Sequence, residues 1–301
     1  MSRRGVLGLV LCLVSASTLG AVNWPQWRGP ALDGTSPEEN LPVSWSTEEN
    51  VAWKLEMPAT SAATPIVWDD RVFLNVSFDP EKDESLALWS VDRDSGKVLW
   101  KRPLGGGNVF LRKHYMSTPS PVTDGEHVWV MTGTGILKAF TFAGEEVWSR
   151  DLQGEYGKFG LKWGYSSSPL LHGDALYVQV LHGMDTDDPS YVLRIDKKTG
   201  ETAWRVERPT DAIAESPDAY TTPALLERDG QAEIVIAGGD VLTGHDPGDR
   251  QGDLAGRGLE PREQQSRPRR GLAPRPRRHA LRLRQARPGA RLPRGRGRPR
   301  R

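Results

Sequence analysis

Short apolar runs alternate with polar turns along most of this chain. The first full series reads Pro65-Ile66-Val67-Trp68, Asp69-Asp70, Val72-Phe73-Leu74, Leu86–Val91, Asp94-Ser95-Gly96 and Val98-Leu99-Trp100. It returns as Pro121-Val122, Asp124-Gly125, Val128-Trp129-Val130, Ile136–Phe142, Ala143-Gly144 and Val147-Trp148. A third copy runs from Pro169-Leu170-Leu171 through His172-Gly173-Asp174, Leu176-Tyr177-Val178, Val192–Ile195 and Lys198-Thr199-Gly200 to Ala203-Trp204. The runs are rich in β-branched and aromatic residues, and the turns in Gly and Asp, which predicts short strands joined by tight turns. After residue 21 no long stretch carries a clean helical period.

Two markers keep the same period. Pro65, Pro121, Pro169 and Pro223, each after Ser or Thr, are 56, 48 and 54 residues apart. Trp53, Trp100, Trp148 and Trp204 are 47, 48 and 56 apart. Four antiparallel strands per repeat of about 50 residues is the unit of a β-propeller blade. The expectation is an all-β propeller with about three to four blades and an incomplete ring. The recurring Trp residues read as structural, each burying on the order of 200 Å² against a neighbouring blade. Trp53 precedes any complete unit, so Glu49–Met57 is expected to be a detached outer strand. Such a strand completes the last blade of a closed ring and leaves no open edge.

The opening Asn23-Trp24-Pro25-Gln26-Trp27-Arg28-Gly29-Pro30, with Asp33-Gly34-Thr35-Ser36, Leu41-Pro42 and Val51-Ala52-Trp53-Lys54, resembles the start of bacterial secreted proteins with PQQ-like β-propeller repeats. The phrases Asp92–Trp100 and Asp196–Trp204 are similar to the repeat of that family. The resemblance covers residues 22–247 and implies the propeller fold. It does not imply one function, because the family holds quinone-dependent dehydrogenases and an outer-membrane assembly lipoprotein. PQQ enters as a cofactor only through this resemblance. The dehydrogenases carry an adjacent Cys-Cys pair and are about twice as long; neither feature is present here.

Residues 1–21 read as a signal peptide, with Arg3-Arg4, an apolar Gly5–Val14 and a small-residue end at Thr18–Ala21. Ser2-Arg3-Arg4 also loosely resembles a twin-arginine signal. The only Cys of the chain is Cys12, inside this leader, so the mature chain has no thiol chemistry. A periplasmic or secreted location follows, with no membrane span in the mature chain.

Charge divides the chain in two. Through Gly248 it holds 22 Lys and Arg against 35 Asp and Glu, whereas residues 249–301 hold 18 Arg, no Lys and four acidic residues. That tail has no Ile, Val, Phe, Tyr, Trp, Met, Asn or Thr and is expected to be disordered. It reads as a basic arm for nucleic acid, as a basic anchor, or as an out-of-frame product. One set of codons for Gly248–Ala255, read one base later, encodes Ala-Thr-Gly-Lys-Glu-Ile-Trp, the turn and Trp that the repeat lacks at that point. An out-of-frame tail is therefore the expectation, and no nucleic-acid partner is assigned.

No catalytic constellation is visible. His114, His127, His172, His182, His245 and His279 show no metal-ligand spacing. Gly105-Gly106-Gly107-Asn108 precedes no helix and reads as a flexible connection between blades. Asp185, Asp187 and Asp188 depart from the EF-hand spacing and read as a solvated loop. No catalytic, cofactor-binding or metal residue is assigned. Tyr115, Trp163, Tyr165 and Tyr220 precede opening strands and are candidates to ring one mouth of the central channel, as a plug or as a binding surface. The expected role is a non-enzymatic scaffold that binds a protein or polysaccharide of the envelope. The alternative is a fragment of a quinone-dependent dehydrogenase.

Overall fold

The computed structural model describes residues 22–39, 41–78 and 85–248. The predicted leader and the Arg-rich tail lie outside the described residues.

Strands β1 (Ile66–Trp68), β2 (Arg71–Ser77), β3 (Leu86–Asp92) and β4 (Val98–Gly105) form the first sheet in simple up-and-down order. A small hairpin, β5 (Phe110–Leu111) and β6 (His114–Tyr115), follows. The second sheet is β7 (Val122–Thr123), β8 (His127–Met131), β9 (Ile136–Thr141) and β10 (Glu146–Asp151), and a one-turn helix α1 (Leu152–Tyr156) leads out of it. The third is β11 (Leu170–His172), β12 (Ala175–Val180), β13 (Tyr191–Asp196) and β14 (Thr202–Glu207). A fourth sheet has only three strands among the described residues: β15 (Ala224–Arg228), β16 (Gln231–Gly238) and β17 (Val241–His245). All ladders are antiparallel. These are the blades of an incomplete propeller, three of four strands and one with three strands among the described residues.

The core lies between the sheets. Phe73, Leu88, Val128 and Phe140 pack sheet one on sheet two; Trp129, Leu137, Leu176 and Leu193 pack two on three; Tyr177, Val192, Ile234 and Ile236 pack three on four. Strands β12 and β13 are therefore apolar runs buried on both faces. The outer strands β4 and β10 alternate half-buried and exposed residues instead.

The recurring Trp and the recurring Gly belong to one contact. The indoles of Trp53, Trp100 and Trp148 lie on Gly96, Gly144 and Gly200, each in the β3–β4-type turn of the next sheet. The three glycines have φ of +71°, +83° and +76°, and a Cβ there would come within 2.4, 2.9 and 2.7 Å of the rings. Each indole also donates Nε1–H to a turn carbonyl: Arg93 (2.7 Å), Phe142 (2.9 Å) and Lys197 (3.1 Å). Trp204 reaches the Gly248 carbonyl in the same way at 3.2 Å.

The Ser/Thr-Pro marker is a second inter-blade device. First strands of adjacent sheets touch one another, β1 on β7 and β7 on β11, so they are innermost. The Thr64 N–H donates to Ser120 Oγ (2.9 Å), the Ser120 N–H to Ser168 Oγ (2.9 Å), and the Ser168 N–H to Thr222 Oγ1 (3.1 Å). The hydroxyl thus satisfies the donor that opens the preceding blade. Ser120 is buried, so Ser120→Ala strands the Thr64 N–H and costs about 1–3 kcal/mol. Urea unfolding checks this; a loss below a few tenths of a kcal/mol contradicts it.

The opening phrase is a strap across these innermost strands. Trp24 bridges Val67 in both directions, the Pro25 carbonyl accepts from the Thr123 N–H, and the Gln26 side chain both donates to and accepts from Leu171 backbone. One tripeptide therefore ties β1, β7 and β11 together.

Two expectations change. Glu49–Met57 makes no ladder with the described residues, although Trp53 holds the place of an outer-strand Trp. The glycine run ends on a fixed point rather than a flexible one. Asn108 is buried, donates its N–H to Ser85 Oγ and its amide to the Phe78 carbonyl, and accepts the Met116 N–H.

Candidate functional site

Three inter-blade connections meet at Trp163. Arg112 and Lys113 come from the tip of the β5–β6 hairpin, Lys162 and Trp163 from the segment between α1 and β11, and Glu215 from the segment between β14 and β15. The Trp163 indole is half-buried. Arg112 Cζ, Lys113 Nζ and Lys162 Nζ stand 5.3, 5.1 and 5.9 Å from a ring centroid of Trp163. Its Nε1–H donates to Glu215 Oε1, which also receives Lys113 Nζ at 3.5 Å. The Trp163 hydrogen bond and then the Lys113 charge hold the Glu215 carboxyl below the usual range.

A buried carboxylate fixes the loops beneath. Asp218 accepts backbone N–H groups from Lys162, Gly183 and Met184 at 2.9–3.1 Å. Beside it, Tyr220 lies over the His114 ring at 5.0 Å. Burial first, and then the Asp218 charge, push the Tyr220 hydroxyl up to about 12. Burial and Lys113 lower His114. Around this centre Val109, Phe110, Leu111 and Ile213 are exposed, with Ile213 at 79%.

The four candidate aromatics separate. Trp163 and Tyr220 belong to this surface, and Tyr115 adjoins it, stacked on Phe110 at 4.5 Å. Tyr165 does not. It is buried in the core between sheets two and three and donates its hydroxyl to the Gln179 carbonyl at 3.0 Å. Gly164 between them has φ +84°, so the chain turns there and sends Trp163 outward and Tyr165 inward. Sequence reasoning passed over Arg112 and Glu215; no spacing in the sequence links them to Trp163. The structural Trp53, Trp100, Trp148 and Trp204 all make inter-blade contacts, as above.

A cleft of about 640 Å³ lies between sheets two and three and is lined by Asp124, Glu126, His127, Trp129, Val147, Lys197 and Lys198. Its central charges already neutralise each other, with Lys197 Nζ 2.9 Å from Asp124 Oδ2.

A quinone bearing carboxylates would need cations along the innermost strands. The residues that lead into these strands are hydroxyls and amides engaged with backbone: Ser61, Ser120, Ser168, Thr221 and Thr222, with Asn75 and Gln179 behind them. Among the described residues no three His, Cys, Asp or Glu side chains are grouped to hold a metal ion; Asp185, Asp187 and Asp188 are simply exposed. These hydroxyls and amides offer the carboxylates of such a cofactor no cation.

These features define an incomplete propeller of PQQ-like four-stranded repeats. The family described as outer membrane protein assembly factor BamB matches residues 82–249, and the chain belongs to that family. No curated protein matches the chain. Among solved structures, the chain is similar to BamB from Moraxella catarrhalis at 18% identity and a TM-score of 0.42, over 65% of this chain and 48% of that one. It is also similar to the quinohemoprotein alcohol dehydrogenase ADHIIG from Pseudomonas putida HK5 at 16% identity and a TM-score of 0.44, over 65% and 34%. The quinohemoprotein alcohol dehydrogenase from Comamonas testosteroni gives 20% identity and a TM-score of 0.37, over 52% and 22%. The chain spans less than half the length of each. No helix among the described residues is long and apolar enough to cross a membrane.

Proposed function

We propose that the chain is a non-enzymatic scaffold of the cell envelope that holds a protein partner on the surface around Trp163. Membership of a family described by an outer-membrane assembly factor supports the compartment and the class of partner. The observation that carries the reading is the composition of the surface. Three cations surround one indole, exposed apolar residues flank it, and Glu215 offsets part of the charge. Aromatic and Arg side chains beside apolar ones are what binding surfaces concentrate. The body through Gly248 is acidic, so this basic spot is a local exception that orients an acidic segment of a partner. The loops are already fixed by Asp218, so little ordering is needed on binding.

The test is a photo-reactive residue in place of Ile213, activated in cells. A discrete adduct with one envelope protein is expected. Trp163→Ala and Lys113→Glu should each reduce it at least tenfold while leaving the unfolding midpoint unchanged, because both side chains are exposed or half-buried. Retention on an acidic polysaccharide with no protein adduct overturns the protein reading.

A further inference from the structure

We propose that His182 is an acid-released latch for the Trp163 surface: a proton on its Nδ1 frees the segment that carries Lys162 and Trp163. The consequence for binding rests on that surface being the partner site. His182 follows β12 and is buried. Its Nδ1 receives the Gly160 N–H at 3.0 Å. A ring nitrogen that accepts a hydrogen bond carries no proton, so the proton is on Nε2, which donates to the Pro189 carbonyl at 3.3 Å. The backbone under the ring is fixed as well. The Ser190 hydroxyl accepts the His182 N–H and donates to the His182 carbonyl, both at 2.9 Å.

Gly160 lies in the connection between α1 and β11, three residues before Trp163. That connection rests on the loop between β12 and β13. The Gly160 carbonyl accepts the Asp185 N–H at 3.3 Å, and a Cβ on Gly160 would come within 2.2 Å of Thr186. On either side the segment is pinned: the Phe159 N–H to Gln153 Oε1, the Lys162 N–H to Asp218 Oδ2, each at 2.9 Å. Between these pins the Gly160 N–H has the imidazole as its acceptor. Protonation inverts the contact, because a second ring N–H then points at the Gly160 N–H and donor meets donor. Ser190 and Pro189 hold the ring, and Thr186 blocks the glycine from moving inward. The segment gives outward, and Trp163 leaves its junction with Lys113 and Glu215.

The groups around the ring set the direction. Asp188 lies in its own loop, Asp218 ahead of β15, and Tyr191 of β13 meets the imidazole edge-on at 6.2 Å. On the facing segment Lys158 and Lys162 flank Gly160, and both are exposed. Burial lowers His182 and outweighs the Pro189 hydrogen bond and the Asp188 and Asp218 charges, which raise it. The latched state therefore holds a neutral ring at pH 7. A ring released to water protonates near pH 6.5. As pH falls below about 6.5 the released state takes up the proton first, so acid favours release. The two carboxylates then face a cation and oppose re-latching.

Backbone amide exchange of the full chain at pH 7 and pH 5, corrected for the intrinsic effect of pH, tests this. Exchange at Phe159–Trp163 should rise about tenfold relative to the amides of β12 and β13. Global unfolding would raise all of them together, so the comparison isolates the local release. His182→Asn places an amide oxygen where Nδ1 stands and does not titrate, so the segment should stay protected at both pH values. His182→Ala removes the acceptor and should expose the segment at both. The adduct from a photo-reactive residue in place of Ile213 should weaken at pH 5 in the parent and persist in His182→Asn. Absence of any adduct at pH 7 would sink the partner reading alone, because exchange needs no partner. Equal protection of the segment at pH 7 and pH 5, or an acid response that His182→Asn retains, overturns the latch.

Discussion

Gly200→Ala destabilises the protein by about 3 kcal/mol, whereas Gly173→Ala costs about 1 kcal/mol. Both glycines lie in turns with positive φ, +76° and +60°, so each alanine meets the same left-handed backbone penalty. Their surroundings differ. At Gly173 nothing lies within 4 Å of the added Cβ, while at Gly200 it comes within 2.7 Å of Trp148 Cδ2. The indole cannot slide away, because its Nε1–H is tied to the Lys197 carbonyl in the same turn. Either the turn lifts off the ring or the hydrogen bond breaks, and both separate sheet two from sheet three. Equilibrium urea unfolding of the two variants isolates the contact, since the backbone cost cancels in the difference. Trp148→Leu in the Gly200→Ala chain removes the overlap, so the two substitutions together should cost less than their sum. Equal losses at Gly173 and Gly200 would show that the indole is not held against the turn.

That contact marks where the sequence is legible and where it is not. The period of Trp, Gly and Ser/Thr-Pro was visible, and with it the four-stranded unit, because each repeat solves the same packing problem. Which partners meet was not. Gly200 stands four residues before Trp204, yet it packs under Trp148 of the preceding sheet. Local spacing shows that two residues recur together without showing that they serve different interfaces. The candidate site has the same limit. Tyr115, Trp163 and Tyr220 stood out because each precedes an opening strand. Glu215, which ties Trp163 to Lys113, lies in a connection with no repeat signal. Tyr165 was misplaced because the Gly164 turn reverses the face on which alternate residues fall.

The interface between sheets three and four breaks the pattern in a way that register alone reveals. Four residues after the outer-strand Trp, the first two blades bury Leu104 and Leu152; the third buries Arg208 at 3% exposure. Among the described residues its guanidinium has no carboxylate partner. It donates to Thr243 Oγ1 (2.9 Å) and to the Ile236 and Val241 carbonyls (3.3 and 2.7 Å). His245 sits opposite Ile234, where the second and third sheets place Phe140 and Ile195 opposite Val128 and Leu176. Two core positions have thus become polar together, joined by Thr243, whose hydroxyl accepts from Arg208 and so has its proton left for His245 Nε2 at 2.9 Å.

This cluster makes stability fall with acid. Burial first, and the Arg208 charge second, push His245 down to about 4, because a second cation would join a buried guanidinium. In the unfolded chain the same imidazole protonates near pH 6.5. Above that value both states are neutral and the full stability is present. As pH falls from about 6.5 to 4 the unfolded state takes up the proton first, and stability drops by about 3 kcal/mol from this residue alone. His182 and His114 are also lowered, chiefly by burial, and add to the same slope. His245→Phe, which restores the residue type of Phe140, should remove the His245 share and leave the others. Arg208→Leu should reduce the fall without abolishing it, because burial persists when the charge is gone. Urea midpoints between pH 4 and 7 for the three chains provide the measurement. If His245→Phe and the parent lose stability in parallel, His245 is not the group that titrates, and the acid sensitivity belongs to the histidines nearer the Trp163 surface.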